Sequence, residues 1–238
     1  MKPGWLETLR HFPPDYQTRR LQALYRRLTP SQQHLAETGL AGVVRQIPGS
    51  LTPAEKATIL YRALAEYLRY DHAACGPARD PTQEQSYTYL GAIFNGTAVC
   101  SGIAQLYAIL CHACDIPCRV VEGYAGSSGR EGLHSWVQIL LPDRHGIPVS
   151  YHCDPTWDLL EGKPYRCFQY FLKSDLYFET HYHQWYREIG ADFGWVKFYY
   201  PCPADAPTPV ISPEILRKVV EQLQAIRLEQ PYILKKHD

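Results

Sequence analysis

Charge in excess of either sign is missing: 24 Lys and Arg balance 24 Asp and Glu over 238 residues. That balance offers no basic face to nucleic acid and no acidic solvating tail, so no nucleic-acid partner is expected. Long apolar runs are missing too. No stretch reaches the roughly 18 uninterrupted apolar residues of a membrane span, and residues 216–228 are too polar to serve as one. Met1-Lys2-Pro3-Gly4-Trp5 leads into no secretory-type apolar segment. The expectation is a cytoplasmic chain without a membrane partner, its eight cysteines mostly reduced. Internal repeats and low-complexity tracts are absent. Methionine is nearly absent, one residue against 18 tyrosines. Such tyrosines can line a polymer- or peptide-binding cleft, but a tyrosine-rich rim of the core is the expectation preferred.

The chain does have enough apolar residues for a sizeable core, 45%, and clear punctuation. Leu21, Leu24, Tyr25 and Leu28 repeat at helical spacing within a predicted helix over 15–28. Thr29-Pro30-Ser31 breaks it and caps a second, short helix. Thr52-Pro53-Ala54-Glu55 combines a Thr cap, a Pro at the first helical position and a Glu three residues after the cap, opening a helix to about Tyr70. Residues 71–97 read as a loop-rich, extended approach. Ile103, Leu106, Tyr107, Leu110, Cys111 and Cys114 form one apolar stripe of a helix over 100–114, stopped by Asp115-Ile116-Pro117. Strands are predicted at 118–125, 134–141 and 149–154, a short strand or turn at 165–172, and β-prone aromatic sequence at 195–200. A proline-rich linker over 201–209 precedes a helix capped at Ser212-Pro213 and running to about Glu229. Its Ile215, Val219, Leu223 and Ile226 share a face expected to dock on the core. The fold class is α+β: helices, one central helix, then an antiparallel sheet. The expected divisions are a helical extension over 1–48, a core over 49–200 and a linker with a terminal helix over 201–238.

The chemistry starts with a turn. Pro142-Asp143-Arg144-His145-Gly146 lies between two predicted strands, and a hairpin folded about Arg144 sets His134 directly opposite Asp154. Both then share a strand face with Trp136, Gln138, Ser150 and His152. Cys100 opens the central helix, where unpaired N–H groups and the helix dipole favour a thiolate. A thiolate, an imidazole to shuttle its proton and a carboxylate to orient the imidazole are the parts of nucleophilic acyl transfer. The Cys100 N–H is a natural oxyanion donor, with Gln85 and Asn95 as candidates for the second.

The run Gly96-Thr97-Ala98-Val99-Cys100-Ser101-Gly102-Ile103-Ala104 resembles the nucleophile motif of the transglutaminase-like superfamily. His134-Ser135-Trp136-Val137 is similar to that family's His-Ala-Trp motif. Asp154-Pro155-Thr156-Trp157-Asp158 matches its Asp-Pro-Thr-Trp-Asp motif. Asp115-Ile116-Pro117 stands where Gly-Ile-Pro is usual, followed by a similar strand through Tyr124, and Ser86-Tyr87 through Leu90-Gly91-Ala92 resembles the lead-in of bacterial members. Ser101-Gly102-Ile103 in place of polar-Gly-Tyr, and Ser135 in place of Ala, are the departures. The resemblance covers about 86–158. It implies a papain-like α+β core, with Cys100 as nucleophile, His134 as base and Asp154 as orienting acid. It also implies acyl transfer at an amide through a thioester, without a metal or other cofactor.

The expected partner is therefore a protein or peptide substrate, with hydrolysis preferred over transfer to an amine. The alternatives are a cross-linking transglutaminase and a peptide- or glycan-binding module on the same fold. A metal hydrolase built on His134, His152 and Asp154, joined by His181 and His183, is a further alternative. Otherwise the His181-Tyr182-His183 stretch reads as a surface or packing element. Cys111, Cys114 and Cys118 have no second Cys-x-x-Cys pair to complete a zinc site, and Cys111 and Cys114 are assigned to the core.

Overall fold

The computed structural model describes residues 16–75, 81–126, 131–161, 168–185 and 201–233. The expected helix starts form as read. Tyr16–Arg26 is α1 and Pro30–Arg45 is α2. Thr29 caps α2 by accepting from the Gln32 N–H while Gln32 returns a bond to the Thr29 N–H. Thr52 and Glu55 close the same reciprocal box on α3, Pro53–Tyr67. The predicted end of α3 at Tyr70 is corrected. Leu68 turns extended, and β1, Arg69–Tyr70, pairs in parallel with β2, Thr97–Ala98.

The segment read as loop-rich holds more structure than expected. It contains two 3-10 turns, Ala73–Cys75 and Pro81–Tyr87, and a helix, α4, Tyr89–Asn95. Every residue of α4 from Tyr89 to Phe94 is buried. A helix buried on all sides carries no polar face, so it leaves no amphipathic period in the sequence. The central helix, α5, spans Cys100–Ala113 and is buried from Gly102 to Cys111. It ends at Asp115, whose φ of 62° is left-handed. The Gly usual at this point in the resembling family would suit that conformation, and Asp is among the few other residues that tolerate it.

Strands β3 (Cys118–Ala125), β4 (Gly132–Pro142), β5 (Pro148–Cys153) and β6 (His183–Trp185) form an antiparallel sheet in the order β5-β4-β3-β6. This is an α+β architecture. The β4–β5 register corrects the predicted hairpin. Gln138 pairs with His152 and Pro142 with Pro148, so the turn centres on His145 rather than Arg144. The reason is local. Asp143 Oδ1 accepts from the His145 and Ile147 N–H groups, and the Asp143 N–H donates to the Ile147 carbonyl, which closes a wider loop than a tight turn would. His134 therefore does not sit directly opposite Asp154, which follows the last residue of β5. Because the partner moves by an even step, the side-chain faces are unchanged.

The two faces of the sheet bury different chemistry. Val137, Ile139, Leu141 and Cys153 join the hydrophobic cluster that includes Ile103, Leu106 and Leu110 of α5. On the other face Trp136, Gln138, Ser150 and His152 are equally buried, under Phe178 of α6 (Asp175–Thr180) and the segment that begins at Pro201. Gly123 lets β6 close on that face, since a Cβ there would meet the Gln184 carbonyl oxygen at 2.1 Å and the Trp136 ring at 2.9 Å. Residues 168–170 form a turn; the rest of the stretch predicted from 165, and the β-prone 195–200, lie outside the described residues.

The terminal helix, α7, spans Pro213–Ile226, three residues short of the predicted end, and buries Val219, Leu223 and Ile226 in the same cluster as α2 and α3. Leu21, Leu24, Tyr25 and Leu28 belong to that cluster as well. Among the described residues no helix is long and apolar enough to cross a membrane. A helix sharing the core should unfold with it. Leu223→Ala is expected to cost about 2–5 kcal/mol in urea denaturation and to leave a single transition by fluorescence and circular dichroism; two separated transitions would show that α7 is an independent appendage.

Candidate active site

Cys100 is the first residue of α5, and its neighbours hold that helix end in place. The Val99 N–H donates to the Ser86 carbonyl at 2.9 Å, and Ser101 Oγ donates to the Tyr87 carbonyl at 2.9 Å. Gly102 makes the seat possible: a Cβ there would lie 2.7 Å from the Thr88 carbonyl oxygen and 2.8 Å from that of Ser86. The N–H groups of the first turn have no acceptor within the helix, so the Cys100 N–H lies beside its own thiol as a donor. The Cys100 residue itself is half-buried.

His134 lies between Cys100 and Asp154. Its Nε2 is 2.7 Å from Asp154 Oδ2, which leaves Nδ1 as the ring nitrogen free of Asp154, and Cys100 is near enough to act on the ring's charge. Burial pushes the His134 imidazolium down. The charge and hydrogen bond of Asp154, with Cys100 behind them, outweigh burial and hold the ring proton well above the usual range.

Asp154 has no solvent exposure. Its Oδ1 accepts from the Thr156 N–H at 2.9 Å and the Trp157 N–H at 3.4 Å. Its main chain is fixed as well, with its N–H donating to the Tyr170 carbonyl and its carbonyl accepting from the Tyr61 hydroxyl, 2.8 and 2.7 Å. Tyr61 Oη also lies 2.6 Å from Asp158 Oδ2, and burial pushes the Asp158 carboxyl up to about 6 despite its bonds to Tyr61, Tyr170 and Gln169. A second imidazole then meets Asp154 Oδ2: His183 Nε2, at 3.0 Å. Burial alone would raise the Asp154 carboxyl. His134 and His183 reverse that and keep it well below the ordinary carboxylate range.

The structure thus brings Cys100, His134 and Asp154 together and redistributes the remaining candidates. His183 belongs to the stretch expected to be a surface or packing element, or else to join the metal alternative. It is fully buried on β6 and bonded to Asp154. Its place between the exposed Tyr182 and Gln184 is the period-two alternation that could have pointed to it. His152 leaves the expected metal trio. Its Nδ1 accepts from the Trp136 indole N–H at 3.0 Å, so its Nε2 carries the proton and donates to Asp175 Oδ1 at 2.9 Å. Both nitrogens are then engaged away from Asp154, and no lone pair is left for a cation. Burial pushes the His152 pKa down, keeping this ring neutral. Asn95 is withdrawn as an oxyanion donor because its side chain donates to the Tyr232 carbonyl and accepts from the Tyr232 N–H. Gln85 stands one residue before the carbonyl that accepts from Val99. Cys111 and Cys114 are buried, the Cys111 thiol pushed well up by burial, and His112 Nε2 donates to the Cys118 carbonyl.

A family profile described as the transglutaminase-like superfamily matches residues 41–200. The chain belongs to that superfamily. A search among curated proteins gave no match. The matched span runs from the last turns of α2 past β6 and takes in all three motif segments around Cys100, His134 and Asp154.

The depressed Asp154 pKa has a pH signature. A carboxyl whose folded pKa lies below its unfolded value of about 3.9 contributes stability above that pH and loses it as pH falls below. Asp154→Asn is therefore expected to lose about 3 kcal/mol or more at pH 7, where the buried His134 imidazolium loses its counter-charge. It should also lose less further stability than the parent between about pH 4 and pH 2. Denaturant titrations at both pH values check this, and equal losses in the two proteins would rule out the linkage.

Proposed function

We propose that the chain is a cysteine-dependent amide acyl-transfer enzyme that hydrolyses a peptide or side-chain amide through a thioester on Cys100. The observation that carries this reading is the buried His134 ring, which is bonded to Asp154 at 2.7 Å and lies close enough to Cys100 at the start of α5 for the two to influence each other's charge. His134 takes the thiol proton, and the thiolate attacks the amide carbon, with the developing oxyanion beside the Cys100 N–H. Gln85 is the candidate for the second donor. The C–N bond breaks as the leaving amine takes the proton from His134, and the acyl group stays on sulfur. Water, losing a proton to His134, then attacks the thioester, and the C–S bond breaks to return the thiolate and release the acid. Asp154 keeps the His134 ring oriented throughout. The papain-like core, the protein or peptide substrate and the division at residues 49–200 belong to this same reading.

The test is mass spectrometry of the protein with a peptide library and a fluorescent primary amine. An acyl adduct on Cys100 and cleaved or deamidated peptides are expected, both lost in Cys100→Ala, with His134→Gln slowing turnover by roughly 10²–10⁴-fold. Amine incorporation instead of hydrolysis would assign cross-linking. Full turnover by Cys100→Ala would assign another chemistry, and binding without turnover by the parent would assign a binding module.

A further inference from the structure

His183 has no part in the steps above, yet it is the second buried imidazole on the Asp154 carboxylate. Its two nitrogens face pure acceptors. Nδ1 is 3.0 Å from the His181 main-chain carbonyl, and Nε2 is 3.0 Å from Asp154 Oδ2. A carbonyl and a carboxylate cannot donate. A neutral ring would satisfy only one of them and would turn a lone pair toward the other at contact distance. The arrangement is satisfied when His183 carries a proton on both nitrogens.

The groups around the ring make that charge matter. The titratable ones are Asp154, His134 across it at 5.6 Å between ring centroids, His152 on β5 and Tyr170 at 5.5 Å. The others are the aromatic faces of Phe178, Trp157 and Trp136, at 4.3, 4.4 and 5.2 Å. Among the described residues Asp154 is the one carboxylate bonded to the ring, and its Oδ2 is shared between His134 and His183.

We propose that His183 is a positioning residue of the site, a second imidazolium that neutralises Asp154 and sets the pH range over which Cys100 and His134 work as a pair. The inference rests on the acyl-transfer reading of Cys100. With His183 doubly protonated, the active form is charge-balanced: thiolate, imidazolium, carboxylate, imidazolium. Without His183, the uncompensated Asp154 charge binds the His134 proton more tightly and opposes ionisation of Cys100. Both effects move the working range to higher pH.

Iodoacetamide alkylation, read at the Cys100 peptide by mass spectrometry as a function of pH, needs no substrate. In His183→Gln, whose amide can still donate to Asp154 but carries no charge, both limbs of the Cys100 profile are expected to move up by roughly one pH unit. A packing role would lower amplitude or melting temperature and leave the limbs in place, which would overturn the proposal. A wild-type profile without enhanced reaction below pH 7 would fault the acyl-transfer reading instead. Nitrogen-resolved NMR of the wild-type histidines decides the charge without a variant: protons on both His183 nitrogens near neutral pH are expected, and a single protonated nitrogen would refute it even if His183→Gln fails to fold.

Discussion

A carboxylate shut away from water must find its counter-charge and its hydrogen bonds inside the protein, and Asp154 finds all of them from separate parts of the chain. His134 comes from β4, His183 from the far edge strand β6, and the Thr156 and Trp157 N–H groups from the turn after β5. Tyr61 reaches across from α3 to hold the Asp154 carbonyl. Leaving any of these groups buried and unpaired costs on the order of a few kcal/mol. The hairpin, the edge strand and the helical layer are therefore held to one mutual arrangement by a single residue, Asp154, through its carboxylate and its main-chain carbonyl.

The same constraint explains why the sheet is buried on both faces with such different residues. Against α5 the strands present aliphatic side chains and need only close packing. On the opposite face the buried polar side chains are tied into a chain of hydrogen bonds. Trp136 donates to His152, His152 to Asp175, and Gln138 to the Cys202 sulfur. Ser174 and Asp175 in turn donate their N–H groups to Asp205 and to the Cys202 carbonyl, so the chain beyond residue 200 is stitched over this face. Cys202, its thiol pushed up to about 12 chiefly by burial, serves as an acceptor there rather than a nucleophile. Two Cys-His-Asp groupings thus form around histidines of one sheet, and of their two thiols Cys100 is half-buried while Cys202 is buried.

Some of this was readable along the chain because the physics involved is local. The capping boxes at Thr29 and Thr52 depend on residues three apart, and the shared face of His134 and Asp154 depends only on the alternation of a strand. The central helix and its neighbouring strands announced themselves by period. What failed to announce itself was non-local. Helix α4 has no exposed face to write a pattern. The short parallel pair β1–β2 joins segments far apart in sequence. The hairpin register turned on how the Asp143 side chain closes its loop, which shifted the turn to His145 without turning any side chain over.

The sequence by itself determined the α+β class, the helix starts, the family motifs and the three residues that meet at the site, because each is encoded in spacing or in a short run. The tertiary structure alone decided what surrounds them. It drew His183 onto Asp154 and turned His152 away to Asp175. It also committed Asn95 to Tyr232. Which imidazole reaches which carboxylate depends on strand order and edge pairing, and those are settled only when the whole sheet is assembled and its buried polar groups must all be satisfied at once.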